Sequence, residues 1–362
     1  MTQPSHPLLP TRRPAIRGGV LALLAALLFG ASTPLVQRWG AGLGPFTTAA
    51  LLYGGAAVMG ALLRQPAARE ARLQRSDGVR LIWVALFGAV LGPVALAWGL
   101  QHTSGTGASL MLTLEAVFTA LLAGWLYGES MDRRVWAAVA LLLAGGIALV
   151  LDQGAQPAAP QASVWGLLAV LVATTAWGID NTLSRALAER DPAQVVLAKS
   201  ALGTGATLAL AWLTREPTPH WHAGLALLAV GATGYGLSLR FYLLAQRSFG
   251  AARTGSVYAF APFIGAALAW WLGDRSGGWG MLVGCLLMGA GVVLHLMEAH
   301  EHEHVHERLV HEHAHRHDDG HHLHHLHHHE PMPTGAHSHR HEHEPMQHSH
   351  PHVPDAHHTH RH

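Results

Sequence analysis

Cysteine, lysine and charge are scarce in this sequence, and each shortage excludes a class of protein. Cys285 is the single cysteine in 362 residues, which excludes an internal disulfide and a site built from several thiolates. Charged residues make up 12% of the chain, about half their share in a typical soluble domain. The formal net charge of +1 carries no signature of a nucleic-acid partner. Half of the residues in the chain are apolar, a composition that favours a membrane protein.

Ten apolar segments, numbered here as spans 1 to 10, are long enough or nearly long enough to cross a bilayer. Crossing about 30 Å of hydrocarbon takes about 20 apolar residues in a helix, and lipid cannot satisfy the open edge of a sheet. The spans cover residues 17–37, 45–63, 80–100, 106–127, 134–151, 164–186, 192–213, 223–244, 253–273 and 278–297. The sequence therefore predicts an all-α integral membrane protein with ten transmembrane helices.

Arginines are unevenly divided between the two sides of these spans. If the N-terminus is inside, 14 arginines lie in the N-terminal segment and the inside loops, and three lie in the outside loops. Loops rich in Arg and Lys stay in the cytoplasm. We therefore expect a multi-pass protein of a bacterial-type cytoplasmic (inner) membrane, with both termini cytoplasmic.

Two pairs of segments are alike across the middle of the chain. "LLFGASTPLVQRW" (27–39) resembles "TAWGIDNTLSRAL" (175–187), and "LEAVFTALLAGWLYGE" (114–129) resembles "FAPFIGAALAWWLGD" (260–274). Five spans are an odd number, so the two copies would run in opposite directions, as the inverted repeats of secondary transporters do. The alternative is chance likeness between helices rich in alanine, leucine and glycine. The predicted regions are an N-terminal segment (1–16), a first repeat (17–151), an outside linker (152–163), a second repeat (164–298) and a tail (299–362).

The motifs "FGASTP", "WGIDNT", "AVFTALLAGWLYGE" and "APFIGAALAWWLGD" give residues 17–297 a resemblance to the EamA-type branch of the drug/metabolite transporter superfamily. Their order and spacing carry the resemblance. Ala116 stands where that family usually has proline, and Asp274 replaces its second glutamate. The resemblance implies ten helices in two inverted repeats and transport of small polar molecules, commonly export driven by a proton or ion gradient. It does not name a substrate.

Ionisable side chains within the spans mark a candidate site, because a charge inside the bilayer costs about 3 kcal/mol or more. The predicted substrate and coupling-ion site consists of Glu115, Asp180, Asn181, Thr182, Lys199 and Tyr258. Glu115 and Asp180 are expected to face a water-filled cavity between the repeats, where one or both take up a proton. Lys199, the single lysine, would neutralise a carboxylate or bind an anionic group, and the uncharged residues would orient the substrate. The alternative is that these groups form structural ion pairs between helices.

Other polar residues near the spans are expected to be structural. Arg240 lies close to the cytoplasmic end of span 8 and can reach the interface, and His102 lies at the outer mouth of span 3. Glu129 and Asp274 end spans 4 and 9, where helix-end or loop contacts are expected.

The C-terminal tail is rich in histidine: five of the 31 histidines precede residue 299, so 26 lie in the tail. Its polar, non-periodic sequence, with "HHLHHLHHHE" at 321–330, predicts disorder. Neutral imidazole suits Zn, Cu, Ni and Co, and no stretch has the ligand spacing of a structural zinc site, so many exchangeable sites are expected. The predicted ligands are His302, His304, His306, His311, His313, His315, His317, His321, His322, His324, His325, His327, His328 and His329.

These features favour a secondary transporter that exports a small polar metabolite or drug-like compound, with proton or ion coupling and a metal-binding regulatory tail. The alternative is a divalent transition-metal transporter (Ni, Co or Zn) fed by the tail. A membrane enzyme is not favoured, because the longest internal gap is about sixteen residues (64–79) and holds no Ser/His/Asp grouping. The expected partners are a small molecule, protons or cations and lipid, with a homodimer left open and no nucleic acid; no cofactor is required, although the tail should bind divalent metal ions.

Overall fold

The structure is a computed structural model, and the described part of the chain is discontinuous. It comprises residues 12–64, 66, 71–127, 131, 133–155, 164–184, 187, 190–249, 251–275, 277–296, 303–306, 309–315, 337–343 and 346–349.

The described residues of the membrane part form helices joined by turns and loops, with no strand among them, so the predicted all-α fold class is confirmed. Its α-helices are α1 (Arg12–Trp39), α2 (Pro45–Leu63), α3 (Gly78–Ala85), α4 (Gly92–Leu100), α5 (Gly105–Met111), α6 (Glu115–Tyr127), α7 (Arg133–Ala155), α8 (Val164–Ser184), α9 (Pro192–Leu213), α10 (Trp221–Val230), α11 (Ser238–Phe249), α12 (Ala251–Tyr258), α13 (Ala261–Trp271) and α14 (Trp279–Leu296). Among the described residues, the helices of spans 1 to 8 are long and apolar enough to cross a membrane, and spans 9 and 10 have shorter apolar helices.

Within the described residues, four spans are interrupted, and the interruptions recur at equivalent places in the two halves of the chain. A π-helical segment joins α3 to α4 at Leu86–Leu91 in span 3, and another joins α10 to α11 at Gly231–Leu237 in span 8. A 3-10 turn at Leu112–Leu114 separates α5 from α6 in span 4, and a turn at residues 259–260 separates α12 from α13 in span 9. Such breaks leave backbone carbonyls without their usual helical partners, and π segments are frequent at functional sites.

The two halves pack through equivalent helices. Helix α1 of span 1 lies against α11 and α13 of spans 8 and 9, and α8 of span 6 lies against α4 and α6 of spans 3 and 4 in the same way. Helix α2 packs on α9, and α7 packs on α14. The halves are therefore built alike and share one core, as a repeat of spans 1 to 5 in spans 6 to 10 requires.

The glycines of the FG and WG motifs allow this close packing. A Cβ atom at Gly30 would stand 3.0 Å from Cβ of Ile264 on span 9. A Cβ atom at Gly178 would stand 2.7 Å from Cβ of Phe118 on span 4. Each glycine therefore fits where no larger residue does, because small residues let helix backbones approach one another.

We expect Gly178→Ala to lower the unfolding temperature, because the added methyl group overlaps Phe118 and overpacking a core costs about 1–3 kcal/mol. Gly205→Ala in α9 is the matched control, since a Cβ atom there meets nothing within 4 Å. The control should be neutral or slightly stabilising, because alanine favours helix over glycine. Thermal unfolding of the purified proteins in one detergent makes the comparison, and equal unfolding temperatures would refute the steric account.

Three carboxylates tie the halves together at the end of the bundle where span 6 begins. Asp152 accepts hydrogen bonds from the amides of Gly278 and Gly280, 3.0 Å each, at the start of α14. Glu216 accepts from the amides of Phe46 and Thr47 at 3.1 and 2.7 Å, and Asp274 accepts from Thr106 N at 2.8 Å. Each carboxylate caps a helix of the opposite half, where the helix dipole favours a negative charge. We call these contacts the three carboxylate caps.

Among the described residues of the tail, four short strands differ from the predicted disorder. Strands β1 (Glu303–His306) and β4 (Met346–Ser349) pair antiparallel, as do β2 (Leu309–His315) and β3 (His337–His343). The alternation of histidine with other residues has the period of two that suits a strand, a signal that the composition-based prediction passed over. The remaining residues of 299–362 lie outside the described part.

Candidate functional site

Glu115 and Asn181 meet between the two halves. Glu115 is the first residue of α6, directly after the 3-10 turn of span 4, and Asn181 is near the end of α8 in span 6. The amide Nδ2 of Asn181 donates to Oε1 of Glu115 at 2.5 Å. A carboxylate from one half therefore accepts a hydrogen bond from an uncharged side chain of the other half, and its second oxygen has capacity for another donor.

Asn181 is exposed on the inward face of its helix. It lies on the same face of α8 as Thr174, Trp177 and Gly178, at the separations of three, four and seven residues that align side chains. Those three residues are buried, and Trp177 is only 5% exposed. The lipid-facing side of α8 is the opposite one, where Trp165 is 71% exposed. Solvent therefore reaches the inward face of α8 at Asn181, near the end of span 6 and opposite the three carboxylate caps, and we call this exposed place the opening.

Asp180 and Lys199 form a buried ion pair beside this opening. Asp180 on α8 is 4% exposed, Lys199 on α9 is 9% exposed, and the Lys199 ammonium donates to Oδ2 of Asp180. Ser184 Oγ donates to the other oxygen of Asp180 at 3.1 Å. Both charges also act on the Glu115 carboxylate. The single lysine therefore neutralises Asp180, one of the two roles that the sequence suggested for it.

The π-helical segment of span 3 lies against the ion pair. Trp177 Nε1 donates to the carbonyl of Gly88 at 3.0 Å, and the hydroxyl of Tyr53 donates to the same oxygen. A Cβ atom at Gly88 would collide with the carboxylate of Asp180 and the ammonium of Lys199. Gly88 therefore brings its backbone close to the ion pair, while its carbonyl accepts two side-chain donors.

Aromatic rings line the interface between the halves next to Glu115. Phe29, of the FG motif, lies 6.2 Å from Trp177, of the WG motif, between ring centroids. Phe29 also contacts Tyr258 at 5.6 Å and Tyr235 at 5.9 Å. The charge of Glu115 acts on the hydroxyls of both tyrosines. The site therefore combines one carboxylate with flat rings from spans 1, 6, 8 and 9.

The other predicted residues have contacts that the structure defines. Thr182 is buried, and its hydroxyl donates to the carbonyl of Gly178 at 2.7 Å, which uses its one O–H donor within its own helix. The Arg240 guanidinium donates to the carbonyl of Leu63 at the end of α2.

The ring of His102 stacks on Trp98 at 4.0 Å, and its Nδ1 lies 2.7 Å from the Trp98 carbonyl oxygen. Asp274 caps α5, so the expected helix-end contact is confirmed for this residue. The structural interpretation of Arg240 and His102 agrees with their contacts, and Glu129 lies outside the described residues.

Sequence reasoning missed Tyr53, Gly88 and the aromatic partners of Tyr258. Tyr53 carries no charge and sits in an apolar helix, so a search for ionisable groups passes over it. Phe29 and Trp177 could have been predicted from the FG and WG motifs. Two aromatic residues at matching positions of an inverted repeat are expected to meet at the interface between the halves.

The side chains that the structure describes include no group of three histidine, cysteine, aspartate or glutamate residues that could hold a metal ion. Of the predicted tail ligands, His304, His306, His311, His313 and His315 lie in strands β1 and β2. His302, His317, His321, His322, His324, His325, His327, His328 and His329 lie outside the described residues.

Comparison with known proteins identifies transporters among the similar chains. The sequence model of the EamA-like transporter family matches residues 16–151 and again residues 164–297. An uncharacterized transporter of Methanothermobacter thermautotrophicus is 25% identical over 268 residues, which cover 70% of this chain and 78% of that protein. The probable 4-amino-4-deoxy-L-arabinose-phosphoundecaprenol flippase subunit ArnE of Pseudomonas fluorescens is 39% identical over 69 residues, which cover 19% of this chain and 60% of that protein. A solved crystal structure at 22% identity superimposes with a TM-score of 0.53, over 77% of this chain and 95% of the other.

Proposed function

Because the chain belongs to the EamA-like transporter family, we propose that it is a secondary transporter that exports a small polar or drug-like compound by alternating access. One observation carries the proposal: the Glu115–Asn181 contact joins the two halves at a place where Asn181 is exposed. Movement of one repeat against the other around such a contact gives access from each side in turn.

Glu115 is the proposed proton carrier. It is half-buried, its partner Asn181 is uncharged, and the neighbouring Asp180 already has the Lys199 ammonium as counter-ion. Removal from water favours the neutral form of a carboxyl group that no cation neutralises. Loading Glu115 with a proton from one side and releasing it to the other would couple transport to a proton gradient.

The proposed substrate carries an amine or another cationic group. The charge of Glu115 acts on Tyr258, and Phe29 contacts both Tyr258 and Trp177. A cation is attracted by both a carboxylate and the face of an aromatic ring. A proton and a cationic substrate would then compete for Glu115, which is a direct way to exchange one for the other. The amino sugar in the name of the flippase subunit is also an amine.

The outward side is proposed to be closed in the conformation described. The three carboxylate caps bind the halves together at one end, and Asn181 is exposed towards the other end. With both termini in the cytoplasm, as the arginine distribution predicts, the opening faces the cytoplasm. This is the state from which an exporter loads its substrate.

A vesicle screen tests the proposed function. Inverted vesicles with an imposed proton gradient receive radiolabelled amino acids, amino sugars or ethidium, and a pH-sensitive dye reports proton movement. We expect at least one amine to be taken up in exchange for protons, and uptake to stop when an ionophore collapses the gradient. If every active compound moves equally well without the gradient, proton coupling is refuted.

The histidine-rich tail is proposed to regulate the transporter by binding a divalent transition metal. Transport of that metal is the second candidate function, favoured by the tail composition alone. Near Glu115 the structure has carboxylate, amide and aromatic groups, a set poor in the imidazole and thiolate ligands that such ions prefer. Zn²⁺ as a further compound in the same screen separates the two: Zn²⁺ uptake that is lost in Glu115→Gln would favour the metal transporter.

A further inference from the structure

We infer that strands β2 and β3 form a specific metal-binding ribbon, in which histidines paired across the strands hold a late first-row divalent ion such as Zn²⁺ or Ni²⁺. The inference rests on the proposal that the tail binds metal, and it replaces many exchangeable sites by one site at defined positions.

The register of the two strands places histidine opposite histidine at three successive rungs. His311 pairs with His341, His313 with His339, and His315 with His337. The alternate rungs pair Val310 with Glu342, Glu312 with Arg340, and Ala314 with Ser338, so none of those rungs contains a histidine. A shift of either strand by one residue would destroy all three histidine pairs.

The same register gathers the histidines on one face of the ribbon. Successive residues of a strand belong to opposite faces, so every second residue shares a face. Seven histidines share one face, and Leu309 is the eighth residue there; these histidines are His311, His313, His315, His337, His339, His341 and His343. The other face has no histidine among the described strand residues, and it carries the opposite charges of Glu312 and Arg340 at one rung.

The spacing of the central rungs suits an ion with imidazole ligands. Directly opposite residues of an antiparallel pair have Cβ atoms about 4.5–5.5 Å apart, and residues two apart on one strand are about 6.8 Å apart. Metal–nitrogen bonds to histidine are about 2.0–2.1 Å. The two central rungs, His311–His341 and His313–His339, therefore bring four histidine positions on one face within the spacing that the ligands of a single ion span.

Metal binding and strand pairing stabilise each other in this arrangement. An isolated two-stranded hairpin is marginal in water, and β2 and β3 are separated by 21 residues, 316–336, whose closure costs entropy. An ion that binds only the paired strands stabilises the pairing by a free energy that grows with the logarithm of its concentration. Metal would therefore shorten and stiffen the tail, which a set of independent exchangeable sites would not do.

The densest histidine run is not part of this site. "HHLHHLHHHE" lies in the connection between β2 and β3, whereas β3 supplies four histidines that composition alone did not single out. Position in the register, not the number of neighbouring histidines, therefore selects the ligands.

Two rearranged proteins with unchanged composition test the ribbon. The first exchanges neighbours in β3 (Ser338→His with His339→Ser, and Arg340→His with His341→Arg), which moves two histidines to the other face. The control exchanges neighbours in the dense run (Leu323→His with His324→Leu, and Leu326→His with His327→Leu). Both leave residues 1–298 unaltered. Zn²⁺ affinity of the full-length protein is measured at pH 7.5 by competition with a chromophoric chelator.

We expect the β3 exchange to weaken the tightest Zn²⁺ site by more than about tenfold, since even the loss of an outer-shell partner costs about 10–100-fold. The control should keep the tight site. Equal affinities in both rearranged proteins would overturn the ribbon and leave tail metal binding intact. If the unaltered protein itself has no tight site, the metal-binding role proposed for the tail is overturned as well, while the vesicle screen remains an independent test of transport.

Discussion

Glu115→Gln should reduce proton-driven transport to the level of empty vesicles. Glutamine keeps an oxygen that can accept the hydrogen bond of Asn181, so the contact between the halves survives while the titrating group is lost. The measurement uses the most active compound of the vesicle screen, with the rate recorded from pH 5.5 to 8.5. The residual rate should not change with pH, because no other proposed carrier takes up the proton.

Glu216→Gln is the matched control for that experiment. It makes the same chemical change at a carboxylate that caps α2 at the opposite end of the bundle, where the amide oxygen can still accept from one of the two amides, Phe46 or Thr47. Coupled transport should persist in this protein. If Glu115→Gln retained the pH dependence of the unaltered protein, Glu115 would not be the proton carrier.

Lys199→Met should destabilise the fold strongly. The substitution leaves Asp180 as a buried carboxylate without its counter-ion, and breaking a buried pair from one side costs about 3–5 kcal/mol. Asp180→Asn should be destabilising for the converse reason, since it leaves a buried ammonium. Thermal unfolding of the purified proteins in one detergent measures both effects.

The double substitution Asp180→Asn with Lys199→Met completes a mutant cycle. It removes both charges at once, so it should be more stable than either single variant, and the difference from additivity measures the coupling. If the two single effects simply added, the pair would not be coupled, and the proposed role of Lys199 as counter-ion of Asp180 would fail.

The sequence contains most of the information about the spans and little about their interruptions. Length and hydropathy predict a helix from local residues, so spans 1 to 8 follow directly. The π segments and the breaks of spans 4 and 9 also involve residues far away in the chain, as the close approach of Gly88, in the π segment of span 3, to Asp180 illustrates. Hydropathy carries no record of such contacts between distant parts of the chain.

At the candidate site, the sequence likewise identifies the important residues but not their interaction partners. The cost of charge in the bilayer marks Glu115, Asp180 and Lys199 without any structure. It does not tell which carboxylate takes the lysine and which takes Asn181, because the partners are 19 and 66 residues apart and helix rotation decides the pairing. The role of Gly88 could not be predicted for a further reason: its backbone carbonyl, and not a side chain, contacts Trp177 and Tyr53.

Because Lys199 is the single lysine, the buried ion pair can be labelled selectively. No other side chain of the protein carries a primary amine, so an amine-selective acylating reagent has one side-chain target, and that target is 9% exposed beside the opening. The ion pair with Asp180 occupies that amine, so the reagent reaches it only when the pair separates. The rate at which Lys199 is acylated, measured by mass spectrometry, therefore reports how often the ion pair separates. No label has to be engineered into the chain for this measurement.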